Sequence, residues 1–488
     1  MQRLFLSNLL LLLVLNLLVK PFYILGIDAG VQQAVGSASY GGYAALLSLS
    51  FLLNIVLDLG ITNYNTRNIA QHGQLMAKYL GGMAGVRALL MVFYALLTVG
   101  AAWLLGYRDA ALGMLGWLVL NQALAASILY LRSNIAGAQR FRQDALLSVL
   151  DRLLLIGLVG WLLWGRASGT PFRIEWFVYA QTAAYGATLI AALLLTLRLS
   201  GRVRPRWRPA FGWMVVRQSL PYALLILLMT FYYRTDMLML ERMLPDGDTE
   251  AGIYAQGFRF FEAFNMLGFL VAGLLLPMFS RMLKEGEDVA PLAMLAFRLV
   301  LAGALAVAVF AWPHAREVMD LRYAEHTERS APAFALLMAC FVAVCVSYVF
   351  GTLLTARGDL GLLNRMAAAG AVLNIGLNAL LIPRWQAEGA AWASLLTQGA
   401  TAVVQVVLAV RAFRMQAPWG VILRAMFYAA GLLAMVLVAR HLGLALGWSF
   451  AIHVPMAVAL AFLVRCVRMA DLRMAFTMAP ARGGQRIR

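Results

Sequence analysis

Charged side chains occur inside several long apolar runs of this sequence. The run LLMTFYYRTDMLML carries Arg234 and Asp236 two positions apart, and a later run carries Arg259 and Glu262 three positions apart. Residues three apart share one face of a helix and can pair, whereas residues two apart point in different directions. A charge in a bilayer core costs about 3 kcal/mol or more unless it finds a partner or water. Arg234 and Asp236 therefore require partners on other helices, or a ligand.

The predicted depths of the intramembrane charges define two layers, which hold six basic and four acidic residues in all. The layer toward the outer face comprises Lys20, Arg234, Asp236, Arg259 and Glu262, and the layer toward the inner face comprises Asp58, Arg87, Asp151, Arg152 and Arg298. Charges at such depths usually face a bundle interior or an aqueous path. We predict that the outer layer lines a binding cavity for an anionic substrate, such as the diphosphate of a lipid carrier. We predict Asp58, Arg87 and Arg298 as inner-gate charges.

Other interpretations of these charges remain open at this point. Lys20 has a long aliphatic stem and can instead extend its amine toward the outer interface. Asp58 and Arg87 can form a structural pair between two helices. Asp151 and Arg152 are expected to begin the fifth helix at the level of the lipid headgroups.

The elements that must position these charges are membrane spans. Of the 488 residues, 62% are hydrophobic and only 13% are charged, about half of what soluble chains carry. Apolar runs of about 20 residues, each long enough to cross the hydrocarbon core, recur along the chain. They predict an all-α polytopic membrane protein with fourteen spans: 5–27, 42–65, 79–105, 111–133, 145–165, 175–197, 218–242, 252–280, 291–312, 331–356, 365–383, 389–410, 420–440 and 446–467.

Basic residues in the loops predict the orientation. With the N-terminus inside, the inner loops and termini hold 25 Lys and Arg residues and the outer loops hold nine. This asymmetry is typical of cytoplasmic loops, so both termini are expected in the cytoplasm. The net charge of +18 then faces the anionic lipids of the inner leaflet, and a nucleic-acid partner is not required.

The histidines and cysteines give no ligand spacing for a metal. The three cysteines, Cys340, Cys345 and Cys466, lie in apolar context and are expected to act as small buried hydrophobes. The chain also lacks the glycine-rich phosphate loop of ATP-driven proteins. We therefore expect neither a metal site nor a bound cofactor.

An internal repeat predicts two halves. GGYAALLSLSFLLN and GIYAQGFRFFEAFN are offset by 211 residues, and Gly41, Tyr43, Ala44 and Asn54 match Gly252, Tyr254, Ala255 and Asn265. Six spans separate the copies, which indicates a parallel repeat about the membrane normal. The expected units are an N-terminal lobe (1–200), a basic cytoplasmic linker (201–217), a C-terminal lobe (218–412), two further spans (413–468) and a basic cytoplasmic tail (469–488).

Several stretches resemble a known family. VLNIGLNALLIPRWQAEGAAWASLLTQ, at 372–398, resembles the C-terminal signature of bacterial polysaccharide exporters. YYRTDMLMLERMLPDGDTEAGIYAQGFRFFEAFNMLGFLVAGLLLPMFSRMLK is similar to their seventh and eighth helices, and YGGYAALLSLSFLLNIVLDLGITNYNTRNIA is similar to their second. The chain thus resembles the lipid-linked oligosaccharide (O-antigen type) flippases of the multidrug/oligosaccharidyl-lipid/polysaccharide (MOP) superfamily.

The resemblance implies two six-helix lobes around a central cavity in the bacterial cytoplasmic membrane. It also implies that an undecaprenyl-diphosphate-linked glycan moves from the inner to the outer leaflet, for cell-surface polysaccharide or lipopolysaccharide synthesis. Coupling to an ion gradient or to the membrane potential, and glycan assembly or polymerase proteins as partners, follow from the same resemblance. The cationic positions of the family's cavity map onto Arg234 and Arg259, and less specifically onto Lys20.

Three other functions stay open from the sequence. An ion-coupled drug or cation antiporter would share the fold but should have a dominant acidic site in one lobe. A glycan polymerase or ligase would be an enzyme working through a long outer loop, whereas the loop at 313–331 is short and balanced in charge. A membrane scaffold that transports nothing would not be expected to hold deep arginines such as Arg234.

Overall fold

The architecture is all-helical. The computed structural model describes residues 14–16, 18–62, 65, 69, 76–138, 140–165, 171–201 and 209–467. The predicted basic tail, 469–488, and residues 202–208 of the predicted linker lie outside this part of the chain.

Helices follow one another with short connections. We number them as follows: α1 Val14–Val35, α2 Ser37–Leu52, α3 Met76–Leu104, α4 Asp109–Gly137, α5 Phe141–Gly160, α6 Ile174–Ser200, α7 Pro209–Met243, α8 Gly247–Glu285, α9 Ala290–Ala311, α10 Ala315–Arg322, α11 Thr327–Arg357, α12 Leu360–Ala412, α13 Trp419–His441 and α14 Leu446–Leu463. A π-helical stretch, Tyr23–Asp28, lies within α1, and another, Trp161–Gly165, continues α5.

Twelve of these helices in the described part of the chain are long and apolar enough to cross a membrane. The two others are α10 and the 16-residue α2, which corresponds to the predicted span 42–65 and passes into a 3₁₀ turn at Asn54–Leu57. The chain is therefore a multi-pass integral membrane protein, as the apolar runs predict.

The long helix α12 contains two predicted spans, 365–383 and 389–410. Its 53 residues would measure about 80 Å if straight, well beyond the hydrocarbon thickness of about 30 Å. The backbone breaks at Gln386, where φ is 53° and ψ is −128°, three residues after Pro383. The break divides α12 into two membrane-length segments at the predicted positions.

Two helix boundaries correct the sequence predictions. Helix α5 begins at Phe141, ten residues before Asp151, so the expectation that Asp151 and Arg152 start it at the headgroups is wrong. The first turns of α5 are polar. They are stabilised against α4 by an ion pair between Asp144 and Arg132, at 2.7 Å. Helix α1 continues beyond residue 27 to Val35 and so places Asp28 inside the bundle.

The two halves of the chain meet where α2 crosses α8. A Cβ atom on Gly41 would overlap the backbone carbonyl of Asp248, and one on Gly252 would overlap that of Ser37. Gly41 and Gly252 are the matching glycines of the repeat, so the repeat places its smallest residues at the same crossing. Both helices start near the predicted outer face, and the bundle is closed there.

A second contact closes the same end. The Arg322 guanidinium, at the end of α10, donates to the carbonyls of Leu25 and Gly26 at 2.8 and 3.0 Å. The Glu325 carboxylate accepts the backbone N–H of Ser37 at 3.3 Å. The predicted outer loop 313–331 thus fastens α1 and α2 to the second half of the chain.

Candidate functional site

A central cavity of about 620 Å³ lies between the two halves of the chain. Helices α1, α2, α4, α5 and α6 form one wall, and α7, α8 and α11 form the other. It extends from Tyr43, near the α2–α8 crossing, toward Asn54 and Leu129, nearer the predicted inner face. Its charged lining residues are Lys20, Asp28, Arg152, Arg234, Arg259 and Glu262. Four are basic and two are acidic, so the lining carries a net positive charge.

The two arginines of the predicted outer layer, Arg234 and Arg259, share one carboxylate. Arg234 Nη2 lies 2.8 Å from a Glu262 carboxylate oxygen, and Arg259 also pairs with Glu262, as their spacing on α8 predicts. Arg259 reaches across to Asp28 of α1 at 3.3 Å, and the Tyr40 hydroxyl donates to Asp28 at 2.7 Å. These ion pairs join α1 to α7 and α8 at the end of the cavity nearer the predicted outer face.

Lys20 and Arg152 are less compensated. No carboxylate among the described residues lies within ion-pair distance of the Lys20 amine. Arg152 donates to the Tyr185 hydroxyl at 2.9 Å, lies over the Tyr23 ring at 4.7 Å, and is 3.8 Å from Asp151. Charged donors of this kind bind phosphate oxygens strongly. The cavity therefore suits an anionic group bound between Arg234 on one side and Lys20 and Arg152 on the other.

Asp236 does not line this cavity. Its carboxylate is 1% exposed and accepts hydrogen bonds from Tyr254 at 2.7 Å, Asn378 at 2.7 Å and Asn374 at 3.2 Å, and also from Ser394. The three α12 partners belong to the stretch that resembles the exporter signature. The partners of Asp236 are thus on other helices, as its spacing from Arg234 requires, but all four of them are neutral.

The three predicted inner-gate charges do not come together. Asp58 and Arg87 lie 3.4 Å apart, and Arg87 also donates to the Ala126 carbonyl at 2.8 Å. Both residues belong to the first half of the chain, so this pair does not bridge the halves. Arg298 lies in the second half, beside Arg424 in a separate cavity of about 410 Å³.

Sequence reasoning missed Asp28 as a cavity residue, and it placed Arg152 in the inner layer of charges and not in the central cavity. Asp28 falls just past the predicted end of the first span, although the apolar residues Val31 and Val35 continue the helical pattern. Arg152 lies within the predicted span 145–165, but its place in the cavity depends on how α5 packs against Tyr23 of α1 and Tyr185 of α6. For Asp28, the apolar pattern beyond the charge was the signal that could have placed it inside the membrane.

Comparison with known proteins gives a family and a fold. Residues 5–283 match the polysaccharide biosynthesis protein family. None of the curated protein sequences matches the chain.

Solved structures share the fold at low sequence identity. The lipid II flippase MurJ in an inward closed conformation is 11% identical, with a TM-score of 0.71, over 96% of this chain and 100% of that one. A mutant of VcmN, a MATE transporter of Vibrio cholerae, is 16% identical, with a TM-score of 0.59, over 84% and 98%. A MOP superfamily transporter from Pyrococcus furiosus, described as having a binding pocket of reverse polarity, is 14% identical, with a TM-score of 0.56, over 84% and 94%.

Proposed function

The chain belongs to the polysaccharide biosynthesis protein family, and we propose that it moves an undecaprenyl-diphosphate-linked oligosaccharide from the inner to the outer leaflet of the bacterial cytoplasmic membrane. Family and fold are those of a MOP transporter and not of an enzyme. The glycan would serve cell-surface polysaccharide or lipopolysaccharide synthesis of the O-antigen type.

The observation that carries this proposal is the net basic cavity at the centre of an apolar bundle. Four basic residues line it, and its two carboxylates are shared by Arg234 and Arg259. A diphosphate head would find the least compensated positive charge at Lys20 and at Arg152, whose nearest carboxylate in the described part of the chain, on Asp151, is 3.8 Å away. The polyprenyl tail would stay in the surrounding lipid, because only the polar head requires the cavity.

Alternating access would start from the arrangement in this structure. The α2–α8 crossing and the Arg259–Asp28 pair close the predicted outer end. A diphosphate competing for Arg259 would weaken its pairing with Asp28 and so favour separation of the halves at that end. After release, the carboxylates would recapture the arginines and close the outer end again.

Coupling to an ion gradient would need an ionisable group apart from the substrate. Asp236 is such a group, because it is a buried carboxylate with four neutral partners and lies outside the cavity lining. Binding of a proton or a cation there would change its hydrogen bonds to α8 and α12. The same observation supports the alternative function, an ion-coupled drug or cation antiporter, which needs an acidic site in one half.

Both termini would lie in the cytoplasm, with the basic inner loops against anionic inner-leaflet lipids. Glycan assembly or polymerase proteins would supply the substrate and use the product.

Reconstitution separates the two functions. The purified protein is placed in liposomes with a fluorescent undecaprenyl-diphosphate oligosaccharide, and the fraction protected from a membrane-impermeant quencher is followed over time. Loss of protection at a rate above that of protein-free liposomes supports the flippase. Exchange of a cationic dye against protons or sodium, without movement of the lipid-linked glycan, supports the antiporter instead.

A further inference from the structure

A second cavity, larger than the central one, lies at the predicted outer face. Its volume is about 770 Å³, and it is lined by the starts of α2, α4, α6 and α8 and by the end of α7. All of these helix ends adjoin loops on the same side of the bundle. We call this space the outer cavity.

The chemistry of the outer cavity differs from that of the central one. Its lining holds three arginines and three carboxylates, so the charges balance: Arg108, Arg173, Arg242, Glu175, Glu241 and Asp248. Glu241 accepts a hydrogen bond from the Tyr107 hydroxyl at 2.8 Å and pairs with Arg242 at 2.7 Å. A balanced lining has no preference for a diphosphate but offers the mixed donors and acceptors that hydroxyl groups require.

Two aromatic side chains face this polar lining. The Trp117 and Tyr179 rings pack edge to face, with centroids 5.0 Å apart, and both line the cavity. They are 41% and 45% exposed, so part of each ring remains accessible to a ligand. Aromatic faces give large contact areas with apolar surfaces, and the C–H faces of sugar rings are such surfaces. Small-molecule sites combine aromatic walls with a few placed polar groups, as here.

One residue, Tyr43 of α2, lines both cavities. Its ring is 2% exposed and packs against Tyr40 and Phe177, and its hydroxyl accepts a hydrogen bond from Gln181 at 2.9 Å. Movement of α2 relative to α6 would break this hydrogen bond. The two cavities would then form one path from the centre of the bundle to the predicted outer face.

We propose that the outer cavity is a glycan subsite, which holds sugar rings of the lipid-linked oligosaccharide while its diphosphate is still in the central cavity. This inference rests on the proposed function and adds a second binding region to it. Tyr43 lies between the two regions, so a substrate long enough to occupy both would pass this side chain. The outer cavity would then favour substrates with several sugars over those with one.

The test compares two defined substrates in the reconstituted protein. Undecaprenyl diphosphate with one N-acetylhexosamine carries a single sugar ring beyond its diphosphate, whereas the same carrier with a pentasaccharide carries five and so reaches further toward the outer cavity. The Trp117→Ala, Tyr179→Ala double variant should move the pentasaccharide substrate about tenfold more slowly, a loss of about 1.4 kcal/mol, because two aromatic contacts with the sugar faces are removed. It should move the one-sugar substrate at the wild-type rate. Trp117→Phe, which keeps an aromatic face, should retain most of the pentasaccharide rate.

Trp448→Ala is the matched control, since Trp448 is exposed near the same predicted face but does not line the cavity. Equal rates for the double variant and this control with both substrates would overturn the glycan subsite and mean that the two rings only anchor the protein at the membrane interface. Equal slowing of both substrates would also overturn it. If the wild-type protein moves neither substrate, the proposed function itself fails.

Discussion

Arg234 is a cavity cation that can be removed with little damage to the fold. Its carboxylate partner Glu262 keeps Arg259, so no buried acid loses its last basic partner. We expect Arg234→Ala to weaken binding of undecaprenyl diphosphate about 10- to 100-fold, the value of a lost charged hydrogen bond. Arg234→Lys should lose less affinity than Arg234→Ala, because lysine keeps the charge. It should still bind more weakly than the wild type, because lysine lacks the bidentate geometry of arginine.

Titration of the lipid into protein in nanodiscs measures this effect. Arg365→Ala, which removes an exposed arginine at the predicted inner face, is the matched control. Wild-type affinity in Arg234→Ala would mean that the diphosphate does not bind at this arginine.

Arg259 plays a more structural part than Arg234. It is 4% exposed and forms an ion pair with Asp28, which is similarly buried. Arg259→Ala should therefore destabilise the fold by about 3–5 kcal/mol, because a buried carboxylate is left unpaired. Adding Asp28→Asn should recover much of the loss.

Thermal unfolding of fluorescent fusions, followed by size-exclusion chromatography, gives the melting temperature of each variant. Measurements on the wild type and on Asp28→Asn alone complete a double-mutant cycle, which gives the coupling energy between the two side chains. A double variant no more stable than Arg259→Ala would show that the two side chains are not coupled.

Among the helices, the α2–α8 crossing depends on Gly41 and Gly252. Gly252→Ala would place a Cβ against the Ser37 backbone, which cannot move away as a flexible side chain could. We expect the variant to favour a form with the outer end open. A single cysteine at Leu47, which lines the central cavity, should then react faster with an impermeant maleimide added from outside.

The experiment uses a background in which Cys340, Cys345 and Cys466 are replaced by serine. Gly100→Ala is the control, because nothing lies within 4 Å of a Cβ at that position. Slower or unchanged labelling in Gly252→Ala would contradict the role of the crossing as the outer closure.

At the level of helices, much of the fold follows from the sequence because a span is a local property. Runs such as 291–312 and 420–440 match α9 and α13 within a few residues. The errors lie where a charge interrupts an apolar run. Asp28 pairs with Arg259 of α8, and Arg152 donates to Tyr185 of α6, and these tertiary contacts permit each helix to continue past its charge.

For the whole molecule, the basic loops predict which end faces the cytoplasm. We expect a cysteine at Ala445, in the loop after α13, to react with an impermeant maleimide in intact spheroplasts. A cysteine at Glu287, in the loop after α8, should react only after lysis. Both positions are exposed, so a difference in labelling reports sidedness. The reverse pattern would invert the predicted topology.

The site could be predicted only in part. The sequence identifies Arg234 and Arg259 as deep charges, since depth follows from the spans. It does not reveal that Asp236 turns away to Asn374 and Asn378, because that depends on how α12 packs against α7. Nor does it reveal the outer cavity, whose lining comes from five helices.

The central claim is that a basic cavity between the two halves carries the diphosphate head of a lipid-linked glycan across the membrane. Its most direct test is the translocation rate of undecaprenyl-diphosphate oligosaccharide in liposomes containing equal amounts of wild type, Arg234→Ala or Arg365→Ala. We predict that wild type and Arg365→Ala move the lipid at the same rate and that Arg234→Ala is close to the protein-free rate. Translocation by Arg234→Ala at the wild-type rate would contradict the claim.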